Sequence, residues 1–221
     1  MIGKVIRGAN AGGLLRYLYG PGKANEHANP HLVAGFGDPR ELEPDQRPDG
    51  SRDLRRLTGL LGQPLALLPG GGCDKPVWHC SVRAAPGDRM LSDAEWGQLA
   101  AGIMDRTGFA PTGDEFGVRW VAVRHAPDHI HIVATLARQD GRRVKTWNDF
   151  FRVREACQDA EGRPGCGPRR RRTVPPPSGL PAPRRSRRPG ADGAKRPACP
   201  CAGRCAPRRP GRVRNGSSSP S

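Results

Sequence analysis

Residues 117–136 constrain the fold more than any other part of this chain. Gly117-Val118-Arg119-Trp120-Val121-Ala122-Val123-Arg124 is a run of β-favouring residues, and a second run follows in Ile132-Val133-Ala134-Thr135-Leu136. Ala126-Pro127-Asp128 between them is a short connection with turn chemistry, so the two runs form an antiparallel hairpin. Side chains alternate faces along a strand, which points His129 and His131 the same way, about 6.5 to 7 Å apart. Ile130, Ile132, Ala134 and Leu136 then take the opposite face and can be buried. His125, at the end of the first strand, lies next to the start of the second. Three of the six histidines therefore meet at one hairpin mouth.

Three imidazoles facing one point make a site for a divalent ion. Three nitrogen ligands leave coordination positions open for water or substrate, which is how a catalytic site differs from a closed structural one. Imidazole ligands by themselves suit zinc or another transition ion. The competing reading is three surface-facing hairpin histidines with no metal. Asp128 has two readings as well: it orients a ligand histidine through a hydrogen bond, or it only serves the turn.

Charge divides the chain. Residues 1–161 hold 21 Lys and Arg against 20 Asp and Glu, whereas residues 162–221 hold 16 against 1, so the tail carries nearly all of the net +16. The tail also has no Phe, Trp, Tyr, Ile or Met, and 13 of the 24 prolines. Such a segment cannot bury enough apolar surface to offset its ordering entropy, and disorder is expected for it. Residues 1–161 are the right size for one domain with one core. With no apolar stretch of membrane-spanning length and no leader pattern, the chain reads as cytoplasmic and free of membrane partners. Cys80 reads as a small core residue. Cys199, Cys201 and Cys205, with Cys166 upstream, lack the paired spacing of a zinc ribbon.

The remaining elements follow from local signals. Ile2 to Arg7 reads as a strand, Gly8 to Gly13 as a loop, and Leu14-Leu15-Arg16-Tyr17-Leu18-Tyr19 as the start of a helix stopped by Gly20-Pro21-Gly22. His27 and His31 are placed in a loop, as positional residues and not ligands. Residues 36–50 read as loop, after which Ser51 caps a helix carrying Leu54, Leu57, Leu60 and Leu61; Pro69-Gly70-Gly71-Gly72 is a flexible connector. Val77-Trp78-His79-Cys80-Ser81-Val82-Arg83 is a strand showing His79, Ser81 and Arg83 on one face, suited to a phosphate-lined cleft or simply solvated. Ser92-Asp93-Ala94-Glu95 is a capping box, and Trp96, Leu99, Ala100, Ile103 and Met104 repeat at helical spacing as core residues until Gly108. A last helix begins around Trp147-Asn148-Asp149 with Asn148 as its cap, and turns Val153, Ala156, Cys157 and Ala160 inward. The elements together predict an α+β fold, an antiparallel sheet with packed helices and the histidine hairpin at its centre.

Three segments carry a family resemblance: Gly13-Leu14-Leu15-Arg16-Tyr17-Leu18, Val77-Trp78-His79-Cys80-Ser81, and His125-Ala126-Pro127-Asp128-His129-Ile130-His131-Ile132-Val133. In this order they resemble the three motifs of plasmid-mobilisation relaxases of the MobA/VirD type, within the HUH endonucleases, and the chain looks like the actinobacterial branch. The resemblance covers roughly residues 1–161. It implies a sheet of about five strands and nicking of one DNA strand at a transfer origin during conjugation. In that reaction a tyrosine attacks a phosphodiester, leaving a 5′-phosphotyrosyl link and a free 3′-hydroxyl. It further implies Tyr17 as nucleophile, with Tyr19 as the alternative, and His125, His129 and His131 as ligands of Mg²⁺ or Mn²⁺. His79, Ser81 and Arg83 would contact the DNA backbone, and the partners would be single-stranded origin DNA and accessory mobilisation proteins. A phenol titrates near pH 10, which is why a cation is needed to favour phenolate and to neutralise charge on the phosphoryl oxygens.

Two departures bear on activity. Only three residues separate His125 from His129, so the third ligand depends on a tight turn. The family pattern stops near Glu161, and the sequence after it reads either as a natural basic arm or, the preferred expectation, as a GC-rich gene continued out of frame. The functional alternatives are a truncated, inactive relaxase or a basic nucleic-acid-binding protein holding phosphates by charge. Replication initiation by the same metal chemistry commonly uses a nucleophile after the histidines, and no tyrosine follows Tyr19.

Overall fold

One antiparallel sheet organises the computed structural model, which describes residues 1–22, 27–69 and 74–161. Its strands are β1 (Ile2–Gly8), β2 (His31–Gly35), β3 (Val77–Arg83), β4 (Val118–Ala126) and β5 (His129–Arg138), in the order β1-β3-β5-β4-β2. Every neighbouring pair is antiparallel. Five helices join them: α1 (Ala11–Tyr19), α2 (Pro39–Leu42), α3 (Arg55–Ala66), α4 (Asp93–Thr107) and α5 (Asp149–Glu161). The architecture is α+β, as the sequence predicts. Contacts separate Met1–Arg172 from Thr173–Ser221, and all described residues lie in the first unit. The 162–221 tail with its four cysteines, Cys73 and the Gly70–Gly72 connector fall outside the described residues. No described helix is long and apolar enough to cross a membrane.

Strand alternation gives the sheet two different faces. One carries Trp78, Cys80, Val82, Trp120, Ala122, Ile130, Ile132 and Ala134, packed with Trp96, Leu99, Ile103 and Met104 of α4 and Val153, Ala156, Cys157 and Ala160 of α5. The other carries Val77, Val121, Val123 and Val133, packed with Leu15 and Leu18 of α1 and Leu57 and Leu61 of α3. This second core ends partway along the strands. Beyond it the same face continues with His79, Ser81, His129 and His131, whose polar groups need hydrogen bonds or a ligand.

Helix α5 runs along β1 and is held at three points. At its start the buried Asp149 carboxylate pairs with Arg7 and accepts from Trp78 Nε1 at 2.7 Å. At its middle Val153 sits against Gly3, where a Cβ would lie 2.5 Å from Val153 Cγ1. At its end Glu161 pairs with the N-terminus. The capping box at Ser92 and Glu95 forms as expected, and Gly108 ends α4 in the left-handed region at φ 73°. Gly97 in α4 lets that helix lie on β2, since a Cβ there would come within 2.7 Å of the Val33 carbonyl oxygen.

Several local expectations need correction. His31–Gly35 is an edge strand and not loop; its short Leu-Val-Ala run finds partners in β4 that local sequence does not reveal. α1 begins at Ala11, not Leu14, because the Asn10 side chain accepts from the Gly13 amide at 2.9 Å. Within the expected 36–50 loop, Asp38 caps the short α2 and sets Leu42 against Gly35. Ser51 does not cap α3. It bonds to Asp49, and the Arg55 amide is met by Asp53 instead. Asn148 has a left-handed φ of 59°, unlike an extended N-cap, and Asp149 itself accepts from the Phe150 amide.

The glycine contacts give opposite expectations for two alanine substitutions. Gly3→Ala forces a methyl into Val153 and should destabilise by about 1–3 kcal/mol. Gly62→Ala, inside α3 with open space around its Cβ, should stabilise by about 0.5–1 kcal/mol. Urea unfolding midpoints of the two variants should move in opposite directions.

Candidate metal centre

The three histidines converge because β4 carries one residue more than β5 can match. Val123 pairs with His131 and Arg124 with Ile130, but Ala126 then pairs with His129, so the register shifts at His125. This bulge makes His125 and Ala126 both oppose His129, the kind of irregularity that re-aims a side chain. Ring centroids lie 4.6 Å apart for His125 and His129, 4.7 Å for His125 and His131, and 5.3 Å for His129 and His131. One ring nitrogen from each lies within 4.8 Å of the others. Two bonds of about 2.0–2.2 Å to a shared ion bring nitrogens to within about 4.4 Å, so small side-chain adjustments complete the site.

The protonation states suit a ligand set. Burial, followed by repulsion from His79, His125, His129 and His27, pushes the His131 imidazolium pKa down to about 2. His79 falls to about 4, through burial and then the charge of Lys4. Neutral rings keep the lone pairs that a cation requires. His129 Nδ1 is 2.6 Å from Asp128 Oδ1, so the ring donates there and its Nε2 is left as an acceptor. His131 Nδ1 is 2.7 Å from His79 Nε2; donation from His131 likewise leaves its Nε2 as a ligand atom. Carboxylate and imidazole partners behind the ligand rings fix tautomer and orientation, as is usual at metal sites. Partial burial raises the Asp128 pKa, but the hydrogen bond and charge of His129, with Arg83, outweigh it and leave the pKa below the ordinary carboxylate value. Arg83 Nε lies 3.4 Å from Asp128 Oδ2.

The histidines form one wall of a cavity of about 360 Å³, also lined by Ile2, Lys4, Tyr17, His27, Ser81 and Arg83. Tyr17 is 42 % exposed, while Leu15 and Leu18 on either side of it are fully buried. α1 is thereby anchored by its leucines and turns Tyr17 into the cavity. Tyr19, about 200° further around the helix, points elsewhere. Its hydroxyl lies 3.3 Å from both Glu43 oxygens, and burial together with that carboxylate drives its pKa far above the ordinary phenol value.

Ser81 and Arg83 reach the cavity as the strand pattern implies, whereas His79 stacks on His131 with centroids 5.0 Å apart. His31 is at the sheet edge, 3.2 Å from Asp93. His27 is the residue that sequence reasoning underrated. Its ring lies 3.8 Å from that of His125 and 5.0 Å from that of Tyr17, edge-on to the phenol, and its Nδ1 is 2.8 Å from the Gly20 carbonyl oxygen. No periodicity links a loop histidine to a hairpin almost a hundred residues away, so nothing in the sequence pattern could place it there.

Residues 68–165 match the family model for the relaxase MobA/VirD2-like nuclease domain. No curated protein and no solved structure matches the chain. The matched span contains β3, α4, β4, β5 and α5, hence the three histidines, His79, Ser81, Arg83 and Asp128, and it supports the relaxase family and a nuclease function. α1 with Tyr17 precedes it.

The Asp128–His129 bond makes a specific prediction. Asp128→Asn should weaken binding of Mn²⁺ by about 10- to 100-fold, by calorimetric titration, without loss of fold. Equal affinity in the variant would show that Asp128 serves only the turn.

Proposed function

We propose that residues 1–161 are a relaxase nuclease domain that nicks single-stranded DNA at a transfer origin, with Tyr17 as nucleophile. The observation that carries this reading is that Tyr17, from one end of the chain, shares a cavity with His125, His129 and His131. Tyr17 Oη attacks the scissile phosphorus, the bond from phosphorus to O3′ breaks, and the leaving 3′-oxygen takes up a proton. The product is a 5′-phosphotyrosyl link that conserves the bond energy for rejoining.

Each group in the cavity has a part in that step. His125, His129 and His131 would hold a divalent cation, Mg²⁺ or Mn²⁺, which draws charge from the phosphoryl oxygens and favours phenolate. Asp128 and His79 keep the ligand rings oriented. Lys4, Ser81 and Arg83 line the mouth and offer a hydroxyl and two cations to phosphates on either side of the break. The helix holds Tyr17 on the cavity and Tyr19 on Glu43, so the two tyrosines do not share the role. Origin DNA and accessory mobilisation proteins are the partners of this activity, which takes place in the cytoplasm.

Single-stranded oligonucleotides tiling the DNA that flanks the coding sequence, incubated with the protein and Mn²⁺, test the proposal. One or a few should form a covalent adduct on a denaturing gel, lost on chelation and in Tyr17→Phe but formed by Tyr19→Phe. An adduct that persists in Tyr17→Phe would refute the assignment.

A further inference from the structure

A second surface, at the start of α5, has the composition of a single-strand-binding platform. Of the four tryptophans, Trp78, Trp96 and Trp120 are buried, but Trp147 is 78 % exposed. Phe150 and Phe151 follow at 57 % and 52 % exposed, with their rings 4.5 Å apart. The fold does not need these three rings inside: Val153, Ala156, Cys157 and Ala160 already fill the inward side of α5, and Asp149 anchors its first turn. Large aromatic side chains ordinarily contribute most to cores and interfaces, so a group of them left in solvent marks a contact surface.

The surrounding charge indicates what is contacted. Arg143 and Lys145, four and two residues before Trp147, are exposed, as is Arg154, one helical turn after Phe150 and Phe151 and so on the same side of α5. Of the nearby carboxylates, Asp149 is buried against Arg7, leaving Glu155 as the exposed one in 141–155. Exposed rings interleaved with cations serve unpaired nucleic acid, because bases with free faces stack on the rings while phosphates meet the cations. A duplex hides those faces. An apolar protein partner would not call for the cations.

We propose that Trp147, Phe150 and Phe151, with Arg143, Lys145 and Arg154, form a second surface for single-stranded DNA, separate from the histidine cavity. The Asp149–Arg7 pair sets this surface at the Gly8 end of β1, whereas Ile2 and Lys4 at the other end line the cavity. The two lie about 16 Å apart along β1 and on opposite faces of the sheet; β1 is an edge strand, so one DNA strand passing around that edge can engage both. The inference goes beyond the nuclease reading and depends on neither Tyr17 nor a metal.

The test uses the full chain carrying Tyr17→Phe, in chelator, titrated with oligo(dT) while tryptophan emission is followed. Residues 162–221 carry 16 Lys and Arg and no tryptophan, so binding by charge there would not quench a ring, and the informative readout is the emission of the one exposed described tryptophan. Saturable quenching is expected with oligo(dT) and not with a duplex, and Trp147→Phe should abolish it. Phe150→Ala and Phe151→Ala, at exposed positions, should weaken the quenching titration by about fivefold to a hundredfold each. Binding without quenching, or quenching unchanged in Trp147→Phe, would overturn the proposal. So would a dimer in sedimentation that these substitutions convert to monomer, which would assign the surface to a second copy. Because the titrated protein cannot nick, failure of the nuclease proposal leaves this result untouched.

Discussion

The β-bulge at His125 is the feature on which the site depends. Without it β4 and β5 would continue in simple register; with it, His125 and Ala126 face His129 together, and three rings gather around one point. Burying His125 and His129 takes imidazole nitrogens out of water, which costs unless they find partners. The sheet supplies part of the answer with Asp128 behind His129 and His79 behind His131. The divalent cation proposed for the site would take the ring lone pairs that face inward.

The rest of the molecule can be understood as support for that floor. One face of the sheet is sealed along its length by α4 and α5, which fixes the strands through a continuous core. The other is sealed only over its Val77, Val121 and Val133 portion by α1 and α3. The gap between the end of that second core and the end of the sheet is the cavity. α1 therefore has two tasks: Leu15 and Leu18 close the core, and Tyr17, between them in sequence, faces the opening. His27 bridges the sides by lying against both Tyr17 and His125.

Much of this was legible in the sequence where a regular period was at work. Strand alternation in 117–136 and 77–83 gave the hairpin, the shared face of His129 and His131, and the outward set of His79, Ser81 and Arg83. Helical spacing after the Ser92 capping box gave α4 and its buried side. What lay beyond reach depended on partners distant in the chain. β2 is five residues long and is a strand only because β4 pairs with it. His27 reaches the cavity through the path of a loop. His79, on a face that suited phosphates, instead met His131 across the β3–β5 ladder. At the start of α3, Ser51 is drawn to Asp49 and the Arg55 amide to Asp53, and at the start of α5, Asp149 is held by Arg7 and Trp78 of distant strands.

Three imidazoles of one hairpin are proposed to hold a single divalent ion. Pulsed electron paramagnetic resonance of the full chain loaded with one equivalent of Mn²⁺ addresses it without need of a DNA substrate. Nitrogen couplings from three histidines on one ion, reduced to two in His125→Ala, are the predicted result. An ion that shows no histidine nitrogen, or couplings unchanged by His125→Ala, would contradict the account.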